Sequence, residues 1–397
     1  MPRSQVLVTV TGPDQPGITA HLTGIIAGTP AQLLDIEQVV VQGRLTLALL
    51  LALESDDGLL KELLFAAKSL GVELDFAPVD PTEAGGAPGT QRFVITALGR
   101  TLGARELHAV ASTLAEHRGN IERINRLSQG DLGSVEIQLG LPAGADPEPL
   151  KRALLELGMH QSFDVALQRE GLFRRSKRLV VMDMDSTLIR IEVIDELARA
   201  HGVAKEVSAI TERAMQGEMD YDESLRQRLA LLRGLDVNVL KRLAAELPLT
   251  EGAETLIRVL KQLGYRTAVV SGGFSIAAEA LKARLGIDYA YSNALEVAGG
   301  KLTGRVVGPI INAQRKAELL EFIAQAEGVR LDQTIAVGDG ANDLLMLEKA
   351  GLGIAFRAKK TLRERADTSL SATGLDAILY LLGISAEELQ AVTADFG

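Results

Sequence analysis

Leu179-Val180-Val181-Met182-Asp183-Met184-Asp185-Ser186-Thr187 sets four apolar residues before a segment with two carboxylates and two hydroxyls. A short apolar run with β-branched residues, closed by polar ones, reads as a buried strand. Carboxylates at the point where such a strand ends are unfavourable unless something uses them. The same figure returns twice: Arg266 to Val270 runs into Ser271-Gly272-Gly273, and Thr334 to Val337 into Gly338-Asp339-Gly340-Ala341-Asn342-Asp343. Leu352 to Phe356 is a fourth apolar strand. Helical stretches separate them, and strands alternating with helices imply a parallel, doubly wound α/β sheet with right-handed crossovers. Ligands of such sheets gather at the carboxyl ends of the strands, so the three polar clusters are expected to converge there. Asp183, Asp185, Asp339 and Asp343 would then repel one another unless a cation neutralised them. The five histidines (His21, His108, His117, His160, His201) lie outside the clusters and the chain has no cysteine. An all-oxygen donor set points to Mg2+ and away from zinc.

Asp183 to Thr187 has the form Asp-x-Asp-x-Thr, and with the Ser-Gly-Gly and Gly-Asp-Gly turns it carries a resemblance. Residues 179 to about 385 resemble the haloacid dehalogenase superfamily, and within it the phosphoserine phosphatases. The resemblance implies an aspartyl-phosphate mechanism acting on O-phospho-L-serine. Asp183 would attack phosphorus, since a carboxylate is a ready nucleophile at neutral pH. Asp185 would protonate the departing serine oxygen and then activate water. Asp183, the backbone carbonyl of Asp185, and Asp339 would hold Mg2+, with Asp343 orienting metal-bound water. The Ser271 hydroxyl and Gly272 N–H can bind phosphoryl oxygens, because glycine lets the main chain approach closely, and Asn342 joins them as a substrate-binding group. Lys316, in Asn312-Ala313-Gln314-Arg315-Lys316, would pair with both the phosphoryl group and Asp183; Arg315 is its competitor on another side of a helix. Transport ATPases carry a different residue at the place of Asp185, and they need membrane spans.

From Leu188 to Leu247 the sequence reads as helices, at Val193 to Ala200, Lys205 to Met215, Tyr221 to Leu232 and Val237 to Glu246. A helical cap over residues 190–250 would exclude water and select the leaving group. Phosphoserine leaves as a zwitterion. Glu192 suits its ammonium and Arg228 its carboxylate through a bidentate fork, and both positions match the phosphoserine phosphatase pattern. Met215 and Tyr221 would form an apolar wall, with Arg226 and Arg233 as alternatives to Arg228.

The phosphatase-like region is expected over residues 178–397, after two copies of a βαββαβ, ferredoxin-like module at 1–82 and 90–167. Gln5 to Gly12 returns as Arg92 to Gly99, and Leu34 to Gln38 as Gly119 to Arg123. Each copy has a hairpin signal (Gln42-Gly43; Gln129-Gly130-Asp131) and a later helix (Leu59 to Leu70; Pro147 to Leu157). Leu45 to Leu53, with Val39 to Val41 beside it, reads as buried strand, being too short for the roughly 20 residues of a membrane span. Residues 81–89, rich in Pro, Gly and small side chains, read as a linker. On Gly12-Pro13-Asp14-Gln15-Pro16-Gly17-Ile18 the modules resemble ACT domains. That resemblance implies an amino-acid effector such as serine at the N–H groups of a helix start, with Asp14, Gly17 and Gly103 as contacts, and a homodimer through the modules. The second copy lacks the aspartate, reading Gly99-Arg100-Thr101-Leu102-Gly103, and a pure scaffold role is the plainer alternative.

With 42 Lys+Arg against 52 Asp+Glu, the formal net charge of −10 disfavours nucleic acid as a partner. The basic cluster Arg174-Arg175-Ser176-Lys177-Arg178 reads as a solvated edge before the first core strand. Val6 to Val10 is too short for a secretory signal. The expectation is a cytoplasmic enzyme on a small phosphorylated molecule, with no membrane role. Two alternatives stay open: a phosphatase for phosphothreonine, a phosphoprotein or another phosphomonoester, and an amino-acid-binding regulator with a vestigial core.

Overall fold

The computed structural model describes residues 4–53, 58–80, 90–100, 102–128, 130, 132–371 and 373–394. It divides into two units, Met1–Thr90 and Gln91–Gly397. The expected linker, 81–89, and two residues of the second hairpin signal, Gln129 and Asp131, lie outside the described residues.

In the first unit β1 (Ser4–Pro13), α1 (Ile18–Ala27), β2 (Gln32–Val41), β3 (Arg44–Leu53), α2 (Leu59–Leu70) and β4 (Glu73–Val79) follow one another. The strands form an antiparallel sheet in the order β2-β3-β1-β4. Alternation decides which face is covered. Val6, Val8 and Val10 on β1 and Leu45, Leu47, Leu49 and Leu51 on β3 pack with Ile18, Leu22 and Leu63 of the two helices. Gln42 (φ 50°) and Gly43 (φ 72°) close the hairpin in left-handed conformations, as a two-residue turn matched to strand twist demands. One expectation fails here: Val39, Val40 and Val41 are 46%, 45% and 64% exposed. They sit at the end of β2, an edge strand with no buried residue, so only β3 is buried strand.

The second unit opens with the same order: β5 (Gln91–Gly99), α3 (Ala104–Glu116), β6 (Asn120–Ser128), β7 (Gly133–Leu141), α4 (Glu148–Gln161) and β8 (Asp164–Arg169). Here both sheet faces are covered. Ile95, Ala97 and Ile137 meet Val110, Leu114, Leu150 and Leu154 of the helices. Leu98 and Ala166, on the other face, join a cluster that includes Ile378, Leu379 and Leu381 near the C-terminus. This double burial explains why β5 is buried almost continuously where β1 alternates.

The basic cluster is only in part the solvated edge expected: Arg175 and Arg178 are exposed, but two of its cations are not. Arg174 and Lys177 are each only 4% exposed. Arg174 donates to Glu136 of β7, and the Lys177 ammonium donates to the Asp332 and Gly351 carbonyls at 2.6 and 2.9 Å. The cations are used to close the seam between module and core, where acceptors would otherwise be stranded.

The core comprises β9 (Leu179–Met182), the cap helices α5 (Val193–His201), α6 (Ala204–Met215), α7 (Tyr221–Leu231) and α8 (Val237–Ala245), then α9 (Ala253–Gln262), β10 (Arg266–Phe274), α10 (Ser275–Leu285), β11 (Tyr289–Ala298) and β12 (Lys301–Val307). It continues with α11 (Ala313–Ala326), β13 (Thr334–Gly338), α12 (Leu344–Lys349), β14 (Gly353–Phe356), α13 (Lys360–Arg363), β15 (Thr368–Leu370), α14 (Ile378–Leu381) and α15 (Ala386–Ala394). Strand order is β12-β11-β10-β9-β13-β14-β15, continuing through an antiparallel β15–β8 bridge into the module sheet. From β11 to β15 the strands are parallel. Alternate residues of β9 feed the two faces: Val180 and Met182 pack with α9 and α10, Leu179 and Val181 with α11 and α12. The α/β doubly wound class, helical cap and paired βαββαβ modules are as the sequence implies. Among the described residues no single helix is long and apolar enough to cross a membrane.

Candidate active site

Because β9 lies between β10 and β13, the three polar clusters emerge side by side. Asp183 ends β9, its N–H donating to the Val337 carbonyl of β13 at 2.9 Å. The chain then makes one wide turn, with Ile189 N–H on the Met184 carbonyl at 3.0 Å and Ser186 at φ 57°. Left-handed backbone at a serine costs about 1–2 kcal/mol. Full burial of Val180 and Val181 stabilises by about 1.5–3 kcal/mol each, so the turn is held. It sets the Asp185 carboxylate between α5 and the end of β10. One Asp185 carboxylate oxygen accepts the Val193 N–H at the start of α5 (2.9 Å), the other the Ser271 hydroxyl (3.3 Å). Burial, then the charges of Glu192 and Asp183, hold the Asp185 carboxyl well above the usual carboxylate range.

α11 starts at Asn312, whose side chain accepts the Arg315 N–H at 3.1 Å, and this aims Lys316 inward. The Lys316 ammonium, 0% exposed, lies 2.8 Å from Asp183 Oδ2 and 2.7 Å from Asp343 Oδ1. Burial works to lower its pKa, but the two carboxylates outweigh it and raise it. Arg315 instead pairs with Glu318 at 3.0 Å on the surface.

Carboxylate oxygens of Asp183, Asp339 and Asp343 lie within 4.8 Å of one another. Against the one ammonium they leave two negative charges, the charge of one divalent cation. Burial first, then Asp183, pushes Asp339 up to about 8 and Asp343 up to about 6. Oxygen donors that resist shared ionisation fit a hard cation such as Mg2+. Thr187 donates to Asp339 (3.3 Å) and Gly340 N–H to Asp343 (3.0 Å), fixing their orientation.

Glycine is required where β10 ends. A Cβ on Gly272 would fall 1.9 Å from the Tyr221 hydroxyl, and one on Gly273 2.4 Å from Asp185 Oδ2. The Gly273 N–H donates to the Ser271 hydroxyl at 2.8 Å. Asn293, which sequence reasoning missed, is 1% exposed; it donates to the Gly272 carbonyl (2.7 Å) and accepts the Ile311 N–H (2.9 Å). A lone asparagine in an ordinary strand carries no motif, so only its tertiary position reveals it.

One cavity of about 730 Å³ unites the site. Asp183, Asp185, Ser271, Gly272, Asp339 and Asn342 line it from the core, and Glu192, Met215, Tyr221 and Arg228 from the cap. Glu192 accepts the Ser186 hydroxyl at 2.7 Å. Burial pushes its carboxyl up, against the Ser186 hydrogen bond, which pulls it down. Arg228 is half-buried, its Nε donating to the Ser224 carbonyl at 3.3 Å. Arg226 points outward toward Asp222 and Glu223, and neither it nor Arg233 lines the cavity. Burial pushes the Tyr221 phenol up to about 12, so it stays neutral. Met215 is 63% exposed, standing at the mouth with its sulfur 3.5 Å from the Lys359 ammonium, and does not form a packed wall. Lys359 and Thr361, at the start of α13, also line the cavity.

In the first unit Asp14 and Gly17 border a groove of about 240 Å³ with Gln38 and Leu45. In the second, the Gly103 N–H is already bonded to Glu106 Oε2 at 2.8 Å, so its own chain occupies that group.

Residues 177–351 match the haloacid dehalogenase-like hydrolase family, and residues 4–77 and 91–168 match ACT domains. A HAD family hydrolase of Salmonella enterica serovar Typhi superposes with a TM-score of 0.64 at 31% identity, covering 73% of this chain and 98% of that one. The class is thereby defined: a haloacid dehalogenase-like hydrolase joined to two ACT domains. A phosphoserine phosphatase of Streptomyces coelicolor is 45% identical over 97% of this chain and 94% of its own. One of Mycobacterium tuberculosis is 44% identical over 98% and 95%. The chain belongs to the phosphoserine phosphatase family and is a phosphomonoester hydrolase.

Proposed function

We propose that this chain hydrolyses O-phospho-L-serine to L-serine and phosphate, the closing step of serine biosynthesis, through a transient acyl phosphate on Asp183. The observation that carries this reading is the pairing of Asp183 with Lys316 beside Asp185, whose carboxyl burial holds well above the usual carboxylate range, in a cavity whose cap side offers Glu192 and Arg228. Asp183 attacks phosphorus, and the bond from phosphorus to the serine oxygen breaks. Asp185 gives its proton to that oxygen. The resulting carboxylate takes a proton from water, which attacks the same phosphorus and releases phosphate and Asp183. Lys316, the Ser271 hydroxyl, the Gly272 N–H and Asn342 offer donors to the phosphoryl oxygens. Glu192 faces the serine ammonium and Arg228 its carboxylate. Asp183, the Asp185 carbonyl and Asp339 would hold Mg2+, backed by Asp343, and the ion would spread the charge of the transferring group.

The two ACT modules are read as the pairing surface of a homodimer, and the first of them as the seat of an amino-acid effector such as serine. The exposed apolar edge strand β2 supports the first role and the Asp14–Gly17 groove the second. A substrate panel tests the catalytic reading. Phosphate release from O-phospho-L-serine should exceed that from phosphothreonine and p-nitrophenyl phosphate and vanish in EDTA. Equal turnover of all three would overturn the substrate assignment.

A further inference from the structure

A second cavity, of about 250 Å³, opens where the second module meets the core. α4 and the start of β8 wall one side; Arg363, Ser369 and Ser371 form the other. Arg363 ends α13, and its Nε is buried with no hydrogen-bond partner. Among the described residues no hydrogen bond or ion pair engages its guanidinium at all. Arg363 is half-buried, and Nε is the guanidinium donor shut from water without an acceptor, which leaves that group unsatisfied. The neighbouring polar groups extend it: the Ser369 and Ser371 hydroxyls lie 3.3 Å apart. The one carboxylate in the lining, Asp164, is committed elsewhere, accepting the Ser371 N–H (2.8 Å) and the Thr373 hydroxyl (3.3 Å). Arginine plus hydroxyls is the chemistry of a small oxyanion, a phosphate or a carboxylate.

The position of α13 gives this cavity a consequence. Thr361 lines the catalytic cavity, Leu362 is buried in the core beneath, and Arg363 lines the seam cavity. Lys359, just before the helix, touches Met215 of the cap. One helical turn therefore borders both cavities. We propose that the seam cavity binds a small oxyanion through Arg363, and that its occupancy is read at the mouth of the active site through α13. Both products of the proposed reaction, phosphate and serine, carry the required chemistry. The choice of probes rests on that reading, but the site does not.

The test is calorimetric titration of the full chain with sodium phosphate and, separately, with L-serine, for wild type and Arg363→Ala. Wild type should bind one more equivalent of one probe than the variant, or bind it about tenfold tighter at the seam. Which probe responds identifies the source of the oxyanion. Phosphate or serine should also lower kcat at saturating substrate in wild type and do so about tenfold less effectively in Arg363→Ala. Arg363 has no partner to lose, so the unliganded melting temperature should be unchanged; Ser369→Ala is the second variant should it fall. Equal binding of both probes by wild type and both variants would overturn the site. A lost equivalent with unaltered kcat inhibition would overturn the link through α13.

Discussion

The Lys316 ammonium bridges Asp183 and Asp343, 2.8 and 2.7 Å away, with no solvent reaching it. Asp183, the proposed nucleophile, and Asp343, in the acidic cluster, are thus held by one cation from α11. Removing one partner of a buried pair leaves an uncompensated charge, at about 3–5 kcal/mol. Lys316→Ala should therefore lower the melting temperature of the metal-free protein and reduce kcat by at least about 10²-fold. Turnover within a few fold of wild type would remove Lys316 from the chemistry.

Arg228→Ala should cut kcat/KM for O-phospho-L-serine by about 10- to 100-fold, the loss of a charged hydrogen bond. Turnover of p-nitrophenyl phosphate, which has no carboxylate to hold, should stay within about twofold, since only the charged bond sets the loss above. Parallel loss on both substrates would assign Arg228 to the fold of the cap.

Acidic residues of the cluster link stability to pH. Asp339 and Asp343 are raised to about 8 and about 6 from an ordinary 3.8, so the folded state holds their protons longer than the unfolded chain. The stability they contribute is full below about pH 4 and is lost as pH rises from there through 6, for Asp343, and 8, for Asp339. In EDTA the melting temperature should fall across that window, and millimolar Mg2+ should flatten the fall. A metal-free melting temperature independent of pH between 4 and 8 would contradict the burial and mutual repulsion described for these carboxylates.

Edge strand β2 exposes Ile36, Val39, Val40 and Val41 at 44% to 64%. A flat apolar edge invites pairing with another chain. Val40→Lys should shift the full chain from dimer to monomer in sedimentation velocity at micromolar concentration, with the phosphatase fold intact by circular dichroism. A wild-type chain that already sediments as a monomer would exclude the pairing surface.

How legible each residue was follows from how local its cause is. Asp183, Asp185, Ser271, Gly272, Asp339 and Asp343 announce themselves because each sits at the end of an apolar strand. Lys316 needed the family resemblance, and its choice over Arg315 rests on a helix cap that turns one inward and the other out. Asn293 and Arg363 carry no local signal: their meaning comes from a glycine carbonyl and a cavity whose walls are distant along the chain. Arg174 and Lys177 show the reverse failure, since a basic run reads as surface until Glu136 and two carbonyls arrive from elsewhere.

Strand and helix periodicity, together with the order of the polar turns, suffices for the α/β class, the repeated βαββαβ modules and the identity of the acidic cluster, because those depend on neighbours in the chain. Strand order is another matter. That β9 lies between β10 and β13, that β8 joins β15, and that α13 borders two cavities arise from packing between distant segments. Burial energies and charge pairing choose among such arrangements, and both are properties of the folded molecule as a whole.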